Sequence, residues 1–413
     1  SYMALHGATL IANLSASNEL VGKADYRRGL VSHQSAQAIV GYIYSSCGVH
    51  ESTTDVVFSG HCIIGEYGAL LAQSERFARD GEIITADIDI EHLLIDRARM
   101  SSWGETVHET PKRAFRFVDF ELPELQAPIT RYINAHPFVP SNNVERDRRT
   151  EEIFNIQAAS LAKRIEYTHS KHMLIGLSGG LDSTLALLVM VRVCNLLQRP
   201  LTDIHAYTLP GFGTTSRTKN NALELAKQLG THIEEMDIAP GSTQVLKDIG
   251  HNGIDEDTTF QNVQARYRTM FLFNKGNHIG GLVVGTGDLS EIALGWSTYN
   301  GDHISGYNVN GGVPKTLVRY LVGWISIQLD FAHVKSILTD ILATPISPEL
   351  TRTKNDTISQ NTEDLIGPYE LHDFFLYHFI RFGTGPAKIL FLAKLAFKEK
   401  YDEATLKKWL KLF

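Results

Sequence analysis

Between His172 and Val284, short apolar runs alternate with longer helical stretches, and this alternation constrains the fold more than any other feature of the chain. His172 to Leu177 reads as a strand, Ser183 to Leu197 as an apolar helix, Asp203 to Leu209 as a strand and Lys219 to Leu229 as a helix. His232 to Ile238 and Gly280 to Val284 supply two more strands, with a helix from Thr259 to Phe273 between them. Strand-then-helix units imply a doubly wound α/β domain, because parallel strands are joined by crossovers that leave helices on both faces of the sheet. Ligands of such sheets bind beyond the carboxyl ends of the strands.

At that edge stands Gly176-Leu177-Ser178-Gly179-Gly180-Leu181-Asp182-Ser183, where a strand ends and a helix begins. Two adjacent glycines let the backbone turn with its N–H groups inward, and the next helix adds its positive end, which together make an anion nest. Ser178 and Ser183 add hydroxyl donors. A Walker A loop carries a lysine before its last hydroxyl residue, and none stands here, so the loop suits release of pyrophosphate better than γ-phosphoryl transfer. Asp182 beside a phosphate nest calls for a bridging cation and reads as a Mg²⁺ ligand. The plain alternative is a glycine turn in which Asp182 and Ser183 only cap the helix.

Gly285-Thr286-Gly287 follows the strand of Leu282, Val283 and Val284 and therefore reaches the same edge. Glu291, five residues after Thr286 at the start of a helix, can share the Mg²⁺ with Asp182. Trp296 and Tyr299 offer flat faces for a ring, and Lys315 offers positive charge for a phosphate. Taken singly, each has a plain reading: core aromatics, a surface lysine, and a glutamate favoured at a helix N-terminus.

The rest of the chain is organised differently. At 413 residues it exceeds the roughly 250 to 300 at which single cores stop growing, so two domains are expected. Ala8 to Leu14 is strand-like and Arg28 to Tyr44 carries helix-spaced apolar residues. Asp55 to Ile64 and Ala69 to Phe77 alternate around Glu66-Tyr67-Gly68, a hairpin signal, and Glu82 to Ile90 alternates again. Five prolines punctuate the stretch from Met100 to Arg149, which reads as a linker. The expected division is therefore residues 1–100, a linker over 101–149, and a second domain over 150–413.

A hydrophobic fraction of 43% with 21% charged residues excludes a disordered or fibrous class, and a net charge of -7 gives no reason to expect nucleic acid as a partner. Cys47, Cys62 and Cys194 are widely spaced, so neither a disulfide framework nor a zinc site is implied; Cys47 reads as following a helix, and both it and Cys62 as small packing residues. With no apolar run of the length a membrane span needs and no leader pattern, the expectation is a cytoplasmic protein without a membrane partner. The opening Ser1-Tyr2-Met3 and the closing helical pattern through Phe413 read as the ends of a fragment.

Ser178-Gly179-Gly180-Leu181-Asp182-Ser183 resembles the signature of the ATP pyrophosphatases, which activate a carboxyl or carbonyl group as an adenylate before a nucleophile displaces AMP. Within that group, residues 285–299, Tyr307-Asn308-Val309-Asn310, Val313-Pro314-Lys315-Thr316, residues 344–350 and Glu363 to Leu371 resemble the NAD synthetases. The resemblance implies an α/β synthetase domain that amidates deamido-NAD with ATP and Mg²⁺. It further implies ATP contacts at Gly176, Leu177, Ser178, Gly179, Gly180, Leu181, Asp182, Ser183, Thr286, Lys315 and Ser347, with Mg²⁺ at Asp182 and Glu291. Deamido-NAD contacts would come from Asn262, Arg266, Glu291, Trp296, Ser297, Thr298 and Tyr299.

Residues 8–95 are similar to the latter part of a carbon-nitrogen hydrolase domain, a nitrilase-like α/β sandwich that releases ammonia from glutamine in glutamine-dependent NAD synthetases. The matching residues include Asn13 to Glu19, Gly22-Lys23, Tyr26-Arg27 and Glu51 to Asp55, and by that resemblance Ser17 and Lys23 would hold glutamine. The Glu-Lys-Cys triad of such domains would lie upstream of Ser1, so ammonia is the nitrogen donor expected for this chain, and a C-terminal tail is expected to be missing. The family implies a homo-oligomer, at least a dimer. Within the same chemistry, a GMP synthetase or a tRNA thiolation enzyme is the alternative; outside it, an inactive assembly subunit.

Overall fold

The computed structural model of the chain describes residues 2–51, 55–123, 128–139, 143–345, 350–351 and 362–413. The chain divides into two compact units, Ser1–Ile133 with Ile380–Gly385, and Asn134–Phe379 with Pro386–Phe413.

In the first unit, strands β1 (Leu10–Ser15), β2 (Gly41–Ser46), β3 (Ile63–Glu66) and β4 (Ala69–Gln73) form one sheet in that order. β1 and β2 are parallel and the other pairs antiparallel. The expected hairpin joins β3 to β4 through Tyr67 at φ 45° and Gly68 at φ 91°, the left-handed pair that a two-residue turn between twisted strands requires. Its first strand is shorter than the alternation suggested and begins at Ile63.

Three expectations need correction. The helix placed over Arg28 to Tyr44 runs Lys23–Ala38 instead. Ile39, left-handed at φ 47°, closes it, and the aromatic and β-branched Tyr42, Ile43 and Tyr44 pair with β1 in β2. Cys47 accordingly follows a strand rather than a helix. Glu82 to Ile90 forms no strand: the Asp89 side chain caps the helix Ile90–Arg99 through the His92 N–H, and the Asp89 N–H goes to the Glu66 side chain at Oε1 instead of to a strand neighbour. Residues 101–149 also hold a helix, Ser101–Glu109, and the start of another, Asn143–Thr168.

In the second unit, β5 (His172–Gly176), β6 (Ile204–Thr208), β7 (His232–Glu235), β8 (Gly281–Gly285) and β9 (Tyr307–Asn308) form a parallel sheet in the order β7-β6-β5-β8-β9. Side chains alternate as a sheet buried on both faces demands. Met173, Ile175, Ala206 and Val284 face a core shared with the helices Asn143–Thr168, Leu181–Leu197 and Lys315–Ile325. Leu174, Tyr207 and Val283 face the other way, beneath Tyr267, Phe271 and Leu272 of the helix Thr258–Ile279. The doubly wound arrangement is thus as expected.

Helix Leu181–Leu197 is apolar around nearly its whole circumference and correspondingly buried, so its N-terminus is held fixed. From β5 the chain moves to β6 and β7 on one side, then returns to β8 and β9 on the other. β5 and β8 therefore flank the topological switch point, where a crevice opens at the carboxyl edge. Among the described residues, no helix is long and apolar enough to cross a membrane.

Candidate active site

The loops after β5 and β8 carry the residues that the sequence singles out, and the fold brings them together. After β5, Gly179 stands at φ 86°, where a Cβ would lie 2.1 Å from the Thr218 carbonyl oxygen, so only glycine lets the loop turn there. Ser178 Oγ accepts the Gly180 N–H at 3.2 Å and lies 3.1 Å from Ser183 Oγ, which fixes the loop's curvature. Gly180, extended at φ -86°, precedes the helix and offers no side-chain cap to its first-turn N–H groups.

After β8, Asp288 caps the short helix Leu289–Leu294 by accepting the Glu291 N–H at 2.8 Å. The fully buried Asn310 ties the two loops together, its amide donating to the Asp182 carbonyl at 2.9 Å and the Thr286 carbonyl at 3.0 Å. Gln157 Nε2 in turn donates to Asn310 Oδ1 at 3.2 Å.

Asp182, Asp288 and Glu291 converge, each offering a carboxylate oxygen within 4.8 Å of the others. Lys315, at the start of the helix Lys315–Ile325, inserts its ammonium among them, with Nζ 2.7 Å from Asp182, 2.8 Å from Asp288 and 2.7 Å from Glu291. Its Nζ also lies 5.2 Å from the centre of the Tyr369 ring. Burial alone would lower the lysine's pKa, but the Asp182, Glu291 and Asp288 charges raise it well above the ordinary value, so it is an ammonium. Burial pushes the Glu291 carboxyl up to about 7, with Lys315 opposing and Asp182 adding to the rise. Asp288 is raised well above the usual carboxylate range, by burial first and then by the neighbouring Asp182 charge.

Three carboxylates thus face one ammonium, and Asp182 Oδ1 is buried without a hydrogen-bond partner. An orphaned oxygen in a cluster of hard oxygen donors fits a divalent cation such as Mg²⁺, which these three residues could hold.

A second group of expected residues also meets. Thr298 Oγ donates to Asn262 Oδ1 at 2.8 Å, and Arg266 Nε donates to the Tyr299 carbonyl at 3.1 Å, which ties the loop 296–302 to the helix Thr258–Ile279. The Tyr299 ring is exposed and stacks on His303, while the Thr298 N–H goes to Asp302 at 2.7 Å. Trp296 is half-buried and Ser297 exposed. Ser347 lies outside the described residues.

In the first unit, Lys23 Nζ bonds the Asn18 carbonyl at 2.7 Å and Asn18 Oδ1 at 2.9 Å, and the Ser17 carbonyl accepts Arg27 Nη2 at 3.0 Å. Ser17 therefore lies in a braced loop that runs into the helix beginning at Lys23, anchored by the buried Arg27–Glu19 pair at 2.8 Å. Burial would raise the Glu19 carboxyl, but Ser59, Arg27 and Arg76 hold it below the ordinary value.

Sequence reasoning missed Asp288 and Asn310. The signal for Asp288 was present as an aspartate three residues before Glu291, a capping pattern that also aims its free oxygen at the neighbouring helix start. Asn310 stands within the motif Tyr307-Asn308-Val309-Asn310, but the sequence assigns it no role because its partners lie far off in the chain.

Residues 153–395 match the family described as NAD synthase. The glutamine-dependent NAD(+) synthetase of Mycobacterium leprae (strain TN) is 43% identical over 399 residues, covering 94% of this chain and 59% of that protein. The protein of the same name from Mycobacterium tuberculosis (strain ATCC 25618 / H37Rv) is 41% identical over 436 residues, covering 99% of this chain and 64% of that protein. The chain thus spans about three fifths of the length of these curated relatives. A solved structure of a glutamine-dependent NAD(+) synthetase from Cytophaga hutchinsonii shares the fold, with a TM-score of 0.51 at 18% identity, over 99% of this chain and 63% of that one. The loop 176–183 and the carboxylate cluster lie in the matched region, and the chain belongs to the NAD synthase family.

Proposed function

We propose that this chain makes NAD by ATP-dependent amidation of deamido-NAD through an adenylate. The observation that carries the reading is the meeting of Gly176–Ser183, the Asp182–Asp288–Glu291 cluster and Lys315 at the switch point of the sheet. The loop's N–H groups and the N-terminus of helix Leu181–Leu197 bind the ATP phosphates, with Ser178, Ser183, Thr286 and Ser347 as hydroxyl donors. Asp182 and Glu291 hold Mg²⁺, which when bound offsets phosphate charge and makes pyrophosphate a better leaving group. Asn262, Arg266, Trp296, Ser297, Thr298 and Tyr299, with Glu291, orient the deamido-NAD.

A nicotinate carboxylate oxygen attacks the α-phosphorus and the bond to pyrophosphate breaks. Ammonia then attacks the adenylate carbonyl, AMP leaves, and one proton is released to solvent. No side chain need become covalently attached; positioning and charge carry the rate. Lys315 keeps the carboxylates paired and adds positive charge beside the phosphates.

The name of the mycobacterial relatives extends the proposal. Residues 1–100 are the latter part of a glutamine-hydrolysing domain, joined through 101–149 to the synthetase domain at 150–413; Ser17 and Lys23 contribute to a glutamine site completed in the longer relatives, and ammonia serves this chain. The protein acts in the cytoplasm as a homo-oligomer, at least a dimer.

The test is NAD formation from deamido-NAD, ATP and Mg²⁺, run with ammonium and with glutamine. NAD and AMP in equal amounts with ammonium support the reading. ADP in place of AMP, or turnover of another carboxylate or carbonyl substrate but not deamido-NAD, contradicts it.

A further inference from the structure

A carboxylate outside the cluster holds two of its members in place. Helix Lys315–Ile325 begins after Pro314, which gives it no side-chain cap, so its first N–H groups need other acceptors. Asp373, only 1% exposed and more than fifty positions further on, supplies one: its Oδ2 accepts the Thr316 N–H at 2.8 Å and Thr316 Oγ at 2.6 Å. The other oxygen, Oδ1, accepts Ser290 Oγ at 2.5 Å, and Ser290 Oγ in turn accepts the Lys315 N–H at 2.9 Å.

Asp373 therefore grips the starts of two helices at once. Each residue it grips is the chain neighbour of a cluster residue: Ser290 precedes Glu291, and Thr316 follows Lys315. Tyr369, whose ring lies beneath the Lys315 ammonium, is one helical turn before Asp373 on the same helix, Tyr369–Leu376. His372 Nε2 bonds the Ile366 carbonyl at 2.6 Å and secures that helix at its start.

We infer that Asp373 is a positioning residue for the metal and nucleotide site. It sets the separation between Glu291 and Lys315 by fixing the first turns that carry them, without touching substrate itself. The inference rests on the proposed reading of the cluster and names a residue that acts through its neighbours. A purely structural role would lower stability and leave the chemistry of the folded protein alone; a positioning role alters the cluster's geometry.

The test compares the wild-type chain with Asp373→Asn, which keeps the shape but offers one acceptor oxygen in place of two. Three quantities are read on the folded protein: Mn²⁺ affinity in the presence of a non-hydrolysable ATP analogue, kcat and KM for deamido-NAD, and the thermal midpoint. Asp373→Asn should weaken Mn²⁺ binding and lower kcat by about 10- to 100-fold, with KM for deamido-NAD little changed, as for other groups that orient ligands from behind. Mn²⁺ affinity and kcat within about twofold of wild type, with only the midpoint lowered, would overturn the inference.

If Asp373→Asn does not fold, Thr316→Val and Ser290→Ala each remove one hydroxyl contact to Asp373. Reduced Mn²⁺ affinity in both supports the inference, and wild-type affinity in both overturns it. A wild-type chain that binds Mn²⁺ with the analogue yet makes no NAD would reject the proposed function and leave the Asp373 question decidable on Mn²⁺ affinity alone.

Discussion

At the scale of single residues, the telling arrangement is one ammonium among three carboxylates. Lys315 is 3% exposed, so its charge cannot be replaced by water when it is removed. Lys315→Met should cost the metal-free protein about 3–5 kcal/mol, the range for breaking a buried ion pair, and Mg²⁺ should restore more of the variant's stability than of the wild type's. Urea unfolding with and without Mg²⁺ measures both; equal Mg²⁺ effects on the two proteins would mean that the carboxylates do not form the cation site.

Asp182 and Glu291 were legible in the sequence, because a glycine loop ending a strand and a capped short helix after another strand announce their edge. The ammonium's position was not. Lys315 was expected to face ATP, and its three partners lie in segments that only the folded sheet brings side by side. Asp373 was silent for the same reason, since its partners are two helix starts and not a local pattern.

At the scale of elements, periodicity located most strands and helices of the second unit, whose central strands β5, β6 and β8 are largely buried. It failed where aspartate side chains take backbone N–H groups outside any strand ladder, as at Asp87 and Asp89, and at β9, whose two residues are too few to show a period. It also gave no sign of a histidine ladder across three strands. His172 on β5, His205 on β6 and His232 on β7 meet with ring centres 4.6 Å apart in each step, edge-to-face at 75° in the first and tilted at 51° in the second. Burial, with the adjacent His172 and His232, lowers the His205 pKa from 6.5 to about 4; Glu234 opposes this and Lys275 adds to it.

The sign of the consequence follows from proton counting. Between pH 6.5 and about 4 the unfolded chain binds a proton at His205 that the folded chain refuses, so this residue's contribution to stability falls as the pH drops through that window. His205→Phe keeps an aromatic ring and removes the titration. The variant should gain stability relative to wild type on moving from neutral pH to the lower end of the window, measured by urea midpoints. A difference between the two proteins that does not change with pH would refute it.

At the scale of the whole molecule, the sequence already implied two domains and a doubly wound second one, because strand-then-helix alternation admits few other arrangements. The first unit was read less well: its hairpin announced itself by Tyr67-Gly68, while a helix and a strand that abut at Ile39 merged into one pattern. The proposed outcome belongs to the second unit, a carboxylate activated where β5 and β8 part. Adenylation without amidation isolates that step, since it needs no ammonia and no glutamine site. The decisive measurement is exchange of labelled pyrophosphate into ATP, in the absence of ammonia, with and without deamido-NAD. Exchange that requires deamido-NAD and a divalent cation, and that disappears in Asp182→Asn, is the expected result; exchange indifferent to deamido-NAD, or none at all from a folded chain that binds ATP, would contradict it.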